Sequence, residues 1–502
     1  MKRPYLKPLY ILILLPLLGY GCKTAKKEYQ PAYALNIVYF LPKDKLPIEN
    51  YRQRLSDILL YTQDFYRQGM KNNGFGDKTF GLRKDSDGKV KISVIPAQQN
   101  ADYYPYEGGG WKAVREIDAW FAEHPEEKSS EHTLVFMPTI TEDTNPGGVP
   151  FYGLGKICFA LDYKYFDLKH LGDPLLAKWL GGMAHELGHG LNLPHNSETV
   201  STRQSHGTAL MGNGNYTLSI KPTFLTKASC GILNNCQVFS SVKQDFYSQP
   251  DTAGPVIRNL QNEFKEHTID IRSGFNIPLP FNGINIYYDN APYGEVNTDY
   301  DAESFFVKPQ QQDSLAFRIP KNELFNFAGA DFQIRIIFLC TNGSTYYITV
   351  PFNKNSPADF HFIKKTELNK SKWSVTASDM QPDSPVSNIL DGNIQTFWHS
   401  SWFPYKKDFP HNLTITLDKT QKIRGLTFTQ RNNLHGAIKE ILIRIRTKGK
   451  WKKIGLYTLK AEHFQEIDFP QPENVEAFSI DILSNHTEND PKIATLAEIG
   501  AY

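Results

Sequence analysis

The sequence predicts a multidomain fold in which an α/β region is followed by two β-rich regions. Its 502 residues suggest about three domains, at about 150 residues per domain. Strand and helix patterns alternate over the first half of the chain, which is typical of an α/β domain. Beyond residue 250 the helical patterns largely disappear, and short strand patterns separated by turn residues replace them.

Composition excludes several classes of protein. Hydrophobic residues make up 40% of the chain and charged residues 22%, which excludes a disordered chain and a multi-span membrane protein. Aromatic residues reach 13%, a proportion that suits β-rich modules and sugar-facing surfaces. The net charge of +2 offers no basic excess that would support nucleic-acid binding. Five cysteines in a chain of this length argue against a disulfide scaffold.

Residues 1–21 have the pattern of an export signal. Three basic residues lie in the first seven positions, and the apolar stretch 9–18 that follows is too short to span a bilayer comfortably. The sequence Gly-Tyr-Gly-Cys then ends at Cys22, and it resembles the lipobox of bacterial lipoproteins, although Gly19 stands where leucine is usual. The resemblance implies a lipid anchor on Cys22 and a place in the bacterial outer membrane or at the cell surface. An ordinary secretory signal, giving a secreted protein, is the alternative.

Composition shifts define the expected domain boundaries. A Gln-Pro-Asp turn at 249–251 and the polar segment 353–357 are the predicted linkers. Between them the short, regularly spaced strand patterns predict a small β-sandwich of immunoglobulin-like type. The predicted organisation is a signal peptide at 1–21, a polar tether at 22–33, an α/β domain at 34–250, an immunoglobulin-like β-sandwich at 251–362 and a further β-rich domain at 363–502.

The strongest chemical signal is a histidine-rich segment at the end of a predicted helix. Residues 185–195 are His-Glu-Leu-Gly-His-Gly-Leu-Asn-Leu-Pro-His. The helix is expected to begin at Pro174, with Asp173 as its N-cap. His185 and His189 are four residues apart and therefore project from one helix face about one turn apart. This spacing suits two imidazole ligands of one zinc ion.

A catalytic zinc site also needs a third protein ligand and an open fourth position. His195 can supply that ligand if the chain turns back after the helix, and Asn192 is a residue type that tolerates the positive φ such a turn requires. Glu186 is displaced around the helix and can act as general base toward a water molecule. The competing interpretation is a buried helix whose histidines fall at these places by chance.

This extended motif resembles that of the metzincin metallopeptidases, H-E-x-x-H-x-x-G-x-x-H, with Asn192 in place of the usual glycine. The resemblance implies a zinc metallopeptidase domain that hydrolyses peptide bonds, with Glu186 as proton carrier. It also implies a methionine turn beneath the metal, and Met211 is the matching residue. Tyr216 could imitate a tyrosine near the zinc, although a structural role is the favoured interpretation. By the same resemblance, residues 151–161 would be the edge strand that pairs with extended substrate, and a plain edge strand or loop is the alternative.

Residues 388–402, Asn-Ile-Leu-Asp-Gly-Asn-Ile-Gln-Thr-Phe-Trp-His-Ser-Ser-Trp, resemble the discoidin, or coagulation factor 5/8 type C, modules. Further matches continue almost to the end of the chain. The resemblance implies a discoidin-like β-sandwich with a galactose-binding-like fold over 363–502. Its loops would meet sugar through His399, Trp402 and Arg431, which offer a flat ring and two polar groups. A spacer or protein-docking sandwich without a sugar site is the alternative.

A structural calcium ion often lies beside the Asp-Gly turn of such modules. Asp391, Thr396 and Glu498 match that role, and oxygen ligands suit Ca²⁺. Asn393 stands where aspartate is common, and a solvated turn without calcium is an equal alternative. Trp398, in the same segment, is expected in the core rather than at the sugar.

Two classes of function fit these patterns. The favoured one is an exported, membrane-tethered zinc endopeptidase that acts on protein or glycoprotein substrates and carries a carbohydrate-targeting module. The alternative is a surface glycan-binding lipoprotein with a vestigial peptidase domain. A gluzincin in which Glu198 replaces His195 as zinc ligand is a chemical alternative. Cys230 and Cys236 are close enough in sequence for a disulfide loop, which the sequence leaves open.

Overall fold

The computed structural model describes most of the chain from Tyr29 onward. The signal peptide and Cys22 lie outside the described residues, as do Asn393 and residues 354–357 of the second linker. No helix in the described part is long and apolar enough to cross a membrane. The described residues are 29–138, 151–248, 256–289, 300–311, 313–325, 331–353, 367–391, 396–431, 433–462, 464–487 and 489–502.

The described part of the first region contains seven strands and five α-helices. Five of the strands form one sheet. The strands are β1 (Asn36–Leu41), β2 (Ser93–Pro96), β3 (Thr133–Pro138), β4 (Phe151–Leu154), β5 (Ile157–Asp162), β6 (Thr208–Ala209) and β7 (Thr223–Phe224). The helices are α1 (Tyr51–Asn72), α2 (Tyr106–Glu123), α3 (Pro174–Gly190), α4 (Val200–His206) and α5 (Lys227–Leu233). The sheet order is β2-β1-β3-β5-β4, and only β4 runs antiparallel to its neighbour.

Helices cover both faces of this sheet because its central strands are apolar on both sides. Ile37 and Tyr39 of β1 belong to a core shared with α1 and α3, whereas Val38 and Phe40 face a second core that includes residues of α2. Successive side chains of a strand point to opposite faces, so one strand serves both cores. This burial places α3, with its histidines, directly against the sheet.

Residues 151–161, predicted as one edge strand, are instead a hairpin. The chain reverses at Gly155, whose φ of 61° is a conformation that glycine adopts without strain. As a result β4 pairs with β5 and forms the edge, while β5 lies inside the sheet against β3. The edge strand expected from the sequence is therefore only the first part of the segment.

The second region forms two antiparallel sheets of four and three strands. Their orders are β11-β10-β13-β14 and β12-β9-β8. Isoleucine and phenylalanine side chains from both sheets form the core between them. The strands are β8 (Val256–Phe264), β9 (Thr268–Asn276), β10 (Phe281–Asp289), β11 (Glu303–Val307), β12 (Ser314–Pro320), β13 (Asp331–Cys340) and β14 (Thr345–Asn353).

The four-stranded sheet of the second region also packs against the first region. Tyr287, Ile337 and Leu339 belong to the same hydrophobic core as α3. The Asn285 amide donates a hydrogen bond of 2.9 Å to the carbonyl of Ala228 in α5. The second region therefore shares a common apolar core with the first.

The third region is a β-sandwich. Its main sheet has the order β15-β17-β20-β18-β19, with β22 also paired to β17. Trp398 is fully buried in its core, as the sequence predicts. The strands are β15 (Ser374–Ala377), β16 (Trp398–His399), β17 (His411–Thr429), β18 (Glu440–Thr447), β19 (Lys450–Thr458), β20 (Phe464–Ile482), β21 (Thr495–Leu496) and β22 (Glu498–Ala501).

Candidate active site

Helix α3 and the turn after it position the histidine-rich segment. The Asp173 carboxylate accepts a hydrogen bond from the backbone N–H of Leu175, and Pro174 is the first helical residue. At the other end Asn192 has a φ of 70°, and the Leu193 N–H donates to the carbonyl of Gly188. The chain therefore turns back along the helix immediately after it ends.

This turn brings three histidines together. The ligand nitrogens of His185, His189 and His195 all lie within 4.8 Å of one another. The Nε2 atoms of His189 and His195 are 2.9 Å apart. Nδ1 of His185 donates to the carbonyl of Leu210, and Nδ1 of His189 donates to that of Leu193, each over 2.8 Å. The protons are thereby held on Nδ1, which leaves the Nε2 lone pairs free to bind a metal ion.

The chemistry of this cluster fits a zinc ion. Nε2 of His185 is buried and has no hydrogen-bond partner in the described structure. Burial, together with the neighbouring His189, lowers the pKa of His185 to about 4 and that of His195 to about 2. Neutral imidazoles are the form that binds Zn²⁺, and three of them leave a fourth position open.

Glu186 lies beside the histidines under strand β4. Burial raises the pKa of its carboxyl group to about 7. A Cβ atom built on Gly153 of β4 would lie 3.7 Å from Oε2 of Glu186 and 3.0 Å from Cβ of His189. Only glycine lets the edge strand pass this closely over the catalytic helix. The sheet edge and the carboxylate are thus neighbours.

Met211, the residue that matches the predicted methionine turn, packs against helix α3. Its side chain is buried, and a Cβ atom on Gly188 of α3 would overlap its sulfur. The residue before it, Leu210, provides the carbonyl that orients His185. The segment around Met211 therefore supports one ligand directly and packs against the helix that carries two of them.

Glu198, the alternative zinc ligand, is engaged elsewhere. Its buried carboxylate accepts a hydrogen bond of 2.8 Å from the Ala209 N–H and pairs with Nε of Arg203 at 2.7 Å. It does not belong to the group of side chains close enough to share an ion with the histidines. The geometry therefore favours His195 over Glu198 as third ligand.

The aromatic neighbour of the site is Tyr300, which the sequence analysis missed. Its ring stacks on His195 with centroids 3.7 Å apart and an interplanar angle of 26°. Tyr216 instead ends the short helical turn Asn213–Tyr216, with a side chain that is 63% exposed. Tyr300 belongs to the second region, where the Ala302 carbonyl accepts a hydrogen bond from Ser197 just after the third histidine. No spacing within the motif indicates it.

The four cysteines in the described part of the chain are free thiols. Cys158, Cys230, Cys236 and Cys340 are all buried and none is paired. The Sγ atom of Cys236 lies 3.6 Å from Nε2 of His132. Nδ1 of the same histidine donates a hydrogen bond to the carbonyl of Gly190 at the end of α3. The disulfide loop that the sequence left open is therefore not formed.

The predicted sugar loops of the third region lie around an aromatic cluster. The rings of His399 and Trp402 have centroids 6.5 Å apart. The Arg431 guanidinium lies 4.1 Å above the ring of Phe397, a residue that the sequence analysis did not select. Burial, together with the charge of Arg431, lowers the pKa of His399 to about 4. At neutral pH the cluster thus combines uncharged rings with one fixed cation.

The predicted calcium residues have partners of their own. The Thr396 hydroxyl donates a hydrogen bond of 2.7 Å to the Asp391 carboxylate. Glu498 pairs with the ammonium group of Lys370, yet burial still raises its pKa to about 8. Among the described residues, only the three histidines form a group of His, Cys, Asp or Glu side chains close enough to share an ion. Calcium binding stays a prediction.

The chain is similar to a protein of known structure over 66% of its length, and its C-terminal part matches a known domain family. Residues 374–499 match the model of the F5/8 type C domain. Catalytically inactive OgpA from Akkermansia muciniphila, solved in complex with an O-glycopeptide substrate (glycodrosocin), is 44% identical. That alignment covers 66% of this chain and 96% of the OgpA chain, with a TM-score of 0.63. Wild-type OgpA gives the same values.

Shorter similarities connect the chain to enzymes that act on sugars. An A type blood N-acetyl-alpha-D-galactosamine deacetylase of Flavonifractor plautii is 32% identical over 79 residues, and a sialidase of Micromonospora viridifaciens is 34% identical over 71 residues. These segments are 15% and 13% of this chain, and the chain spans only 10% and 11% of the two enzymes.

Proposed function

The chain belongs to the family of OgpA, and from this premise we propose that it is a zinc-dependent endopeptidase that cleaves glycoproteins. The observation that carries the proposal is the convergence of three histidine Nε2 atoms beside the buried carboxylate of Glu186. The C-terminal F5/8 type C domain adds a second binding site, for glycans. A lipid anchor on Cys22 would tether the enzyme to the bacterial surface.

His185, His189 and His195 would hold the zinc ion through Nε2. Nδ1 of His185 and of His189 is already committed to a backbone carbonyl, so their rings present only Nε2 to a metal. When bound, zinc polarises the scissile carbonyl and lowers the pKa of a water molecule. The carbonyls of Leu210 and Leu193 fix the orientation of the two rings.

Glu186 is the proton carrier in this proposal. Its carboxylate accepts the proton of the attacking water and later delivers it to the amine that leaves. Burial raises its pKa from the ordinary value to about 7, so both protonation states are accessible near neutral pH. Tyr300, stacked on His195, would keep the third ligand in place and exclude water from one side of it.

Substrate would bind along the edge of the five-stranded sheet. Within the described residues β4 has a neighbouring strand on one side only, so its outer backbone groups can pair with an extended peptide. Gly153 brings that pairing edge within contact of Glu186 and His189. A peptide paired with β4 would therefore lie across the three histidines.

Glycan recognition is supported by OgpA and by aromatic rings near the cleft. OgpA was solved with an O-glycopeptide substrate. In this chain Tyr106 and Tyr216 are at least half exposed. Both also lie near Tyr300: burial and the Glu186 carboxylate are the main causes that raise the pKa of Tyr300, and Tyr216 and Tyr106 contribute smaller increases. Exposed flat rings provide stacking surfaces for sugar faces. We propose that the substrate class is O-glycosylated protein.

The test compares two peptides of identical sequence, one carrying an O-linked disaccharide and one without it. The zinc-loaded full chain should cleave only the glycosylated peptide efficiently. Glu186→Ala should retain one equivalent of zinc and lose cleavage. If the wild-type chain binds zinc and glycopeptide yet cleaves neither peptide, the peptidase assignment is wrong. If it cleaves both equally well, the glycan requirement is wrong.

A further inference from the structure

The third region touches the first region close to the candidate active site. A Cβ atom built on Gly108, near the start of α2, would lie 3.9 Å from three ring atoms of Phe403. Lys112, one turn further along α2, has its ammonium 4.0 Å above the ring of Tyr103 and 5.8 Å from the ring centroid of Phe403. Phe403 is thus packed against the first turns of α2.

A second contact between these regions is electrostatic. Asp383 of the third region is half-buried, which raises the pKa of its carboxyl group, and the positive charge of Arg115 on α2 opposes that rise. The Gln381 side-chain oxygen accepts hydrogen bonds from the backbone N–H groups of Trp402 and Phe403 at 3.2 and 3.4 Å. The loop that carries Phe403 is therefore held in place within its own module.

The same end of α2 forms a wall of the catalytic cleft. A Cβ atom on Gly110 would overlap the ring of Tyr152 in β4, and Tyr106 meets that ring edge to face at 5.4 Å. The residue after Tyr152 is Gly153, which lies over Glu186. A chain of direct contacts therefore runs from Phe403 through α2 and β4 to the catalytic glutamate.

The surface along this path is aromatic and exposed. Tyr106 is 50% exposed and Phe403 is 41% exposed, and we name these two residues, with Tyr103, the aromatic bridge. The predicted sugar residue Trp402 directly precedes Phe403, and its ring has its centroid 6.1 Å from that of Phe403. The bridge is thus continuous with the cleft at one end and with the sugar loops at the other.

We infer that the cleft, the aromatic bridge and the sugar loops form one composite surface that binds a single polypeptide glycosylated at more than one position. The peptide beside one glycan would occupy β4, and a second glycan on the same chain would reach His399 and Trp402. Exposed rings in a row bind sugar faces and extended peptide alike. Because the two sites are held in a fixed relation, the second contact is intramolecular and raises affinity without altering the chemistry.

This inference deepens the proposed function and rests on it, so its test uses binding and cleavage separately. The probes are three synthetic peptides: a short one with a single O-glycan at the cleavage position, and two longer ones with further O-glycans on the N-terminal or the C-terminal side. Dissociation constants are measured by calorimetry on the full chain carrying Glu186→Ala, which leaves all peptides intact.

We expect one of the longer peptides to bind about tenfold more tightly than the short one, as linked sites allow. Adding Phe403→Ala to the chain that carries Glu186→Ala should remove most of this gain in affinity for the longer peptide. The affinity for the short peptide should stay unchanged. Phe403→Tyr keeps the ring and should keep the gain. Trp451→Ala removes an aromatic side chain of similar exposure, 46%, from strand β19 of the same module and should change nothing.

The inference is overturned if neither longer peptide binds more tightly, or if Phe403→Ala leaves the gain intact. Equal losses for the short and long peptides would also overturn it, because they would indicate damage to the cleft alone. Failure of the proposed function has a different signature. In that case the Phe403-dependent gain is present, while the chain with Glu186 intact cleaves none of the three peptides.

Discussion

The histidine site and the sugar loops differ in how far apart their residues lie in the sequence. The three histidines and Glu186 come from one helix and the turn after it, within residues 185–195. The sugar loops bring together Phe397, His399 and Trp402 with Arg431, which follows the end of β17. The reactive chemistry is encoded locally, whereas the binding surface depends on how a β-sandwich packs. Each prediction below tests one side of this difference.

The largest effect is expected at Glu186. Glu186→Ala should lower kcat by about 10³-fold or more, because a positioned general base contributes about 10² to 10⁴-fold. Zinc content, measured by atomic absorption on the purified chain, should stay at one equivalent. Glu266→Ala, at a residue of the second region whose side chain is 87% exposed, is the matched control and should leave kcat within twofold. Activity of the Glu186 variant within tenfold of wild type would refute the base assignment.

The next effect concerns the third zinc ligand. His195→Ala should weaken zinc binding by at least about a hundredfold, because it leaves two protein ligands for a site that needs three. Competition with a chromophoric chelator measures this change. Glu198→Gln should keep zinc affinity, because Glu198 is occupied with Ala209 and Arg203. If instead Glu198→Gln weakens zinc binding and His195→Ala does not, the gluzincin alternative is correct.

A smaller effect is expected where the second region meets the active site. Tyr300→Ala should lower kcat/KM by about tenfold, because the stacking partner of His195 is lost and the ligand ring becomes free to move. Tyr300→Phe retains the ring and should retain most of the activity if the role is positioning. Tyr216→Ala is the comparison variant, because Tyr216 is the tyrosine that the sequence pointed to. A larger loss for Tyr216→Ala than for Tyr300→Ala would favour Tyr216 as the tyrosine near the zinc, which was the less favoured interpretation of the sequence.

The sugar loops should affect binding and leave the chemistry unchanged. Arg431→Ala should weaken binding of galactose-containing glycans by about tenfold, because it removes a fixed cation and a hydrogen-bond donor from the loop cluster. Cleavage of a short, singly glycosylated peptide should be unchanged. A glycan array probed with the full chain carrying Glu186→Ala measures the first quantity. Equal glycan binding by the Arg431 variant would remove this residue from the sugar site.

The smallest effect is expected from calcium. Glu498 already has the ammonium of Lys370 as partner, so added calcium should raise the Tm of the chelator-treated protein by only about 2 °C, which is under 1 kcal/mol for a domain of this size. Asp391→Ala should abolish the rise. Magnesium at the same concentration is the control ion. An equal rise with magnesium, or one that persists in the Asp391 variant, would contradict the calcium site.

Several features followed from the sequence because they depend on neighbours along the chain. Helix α3 begins at Pro174 with Asp173 as its N-cap, as predicted, and Asn192 takes the positive φ that the turn requires. The edge strand was only partly foreseen, because Gly155 reverses the chain where the pattern suggested one continuous strand. A run of apolar residues cannot distinguish one strand from a tight hairpin of two.

What the sequence by itself determined is the reactive group: two histidines one helical turn apart, a third after a turn, and a glutamate between them. The regular geometry of the α-helix converts that spacing directly into positions in space. Only the tertiary structure decided that Tyr300 covers His195, that Gly153 passes over Glu186 and that Phe403 meets α2. Each of these contacts joins residues far apart in the chain. They form because packing of whole sheets and helices brings the residues together, and no local spacing encodes that packing.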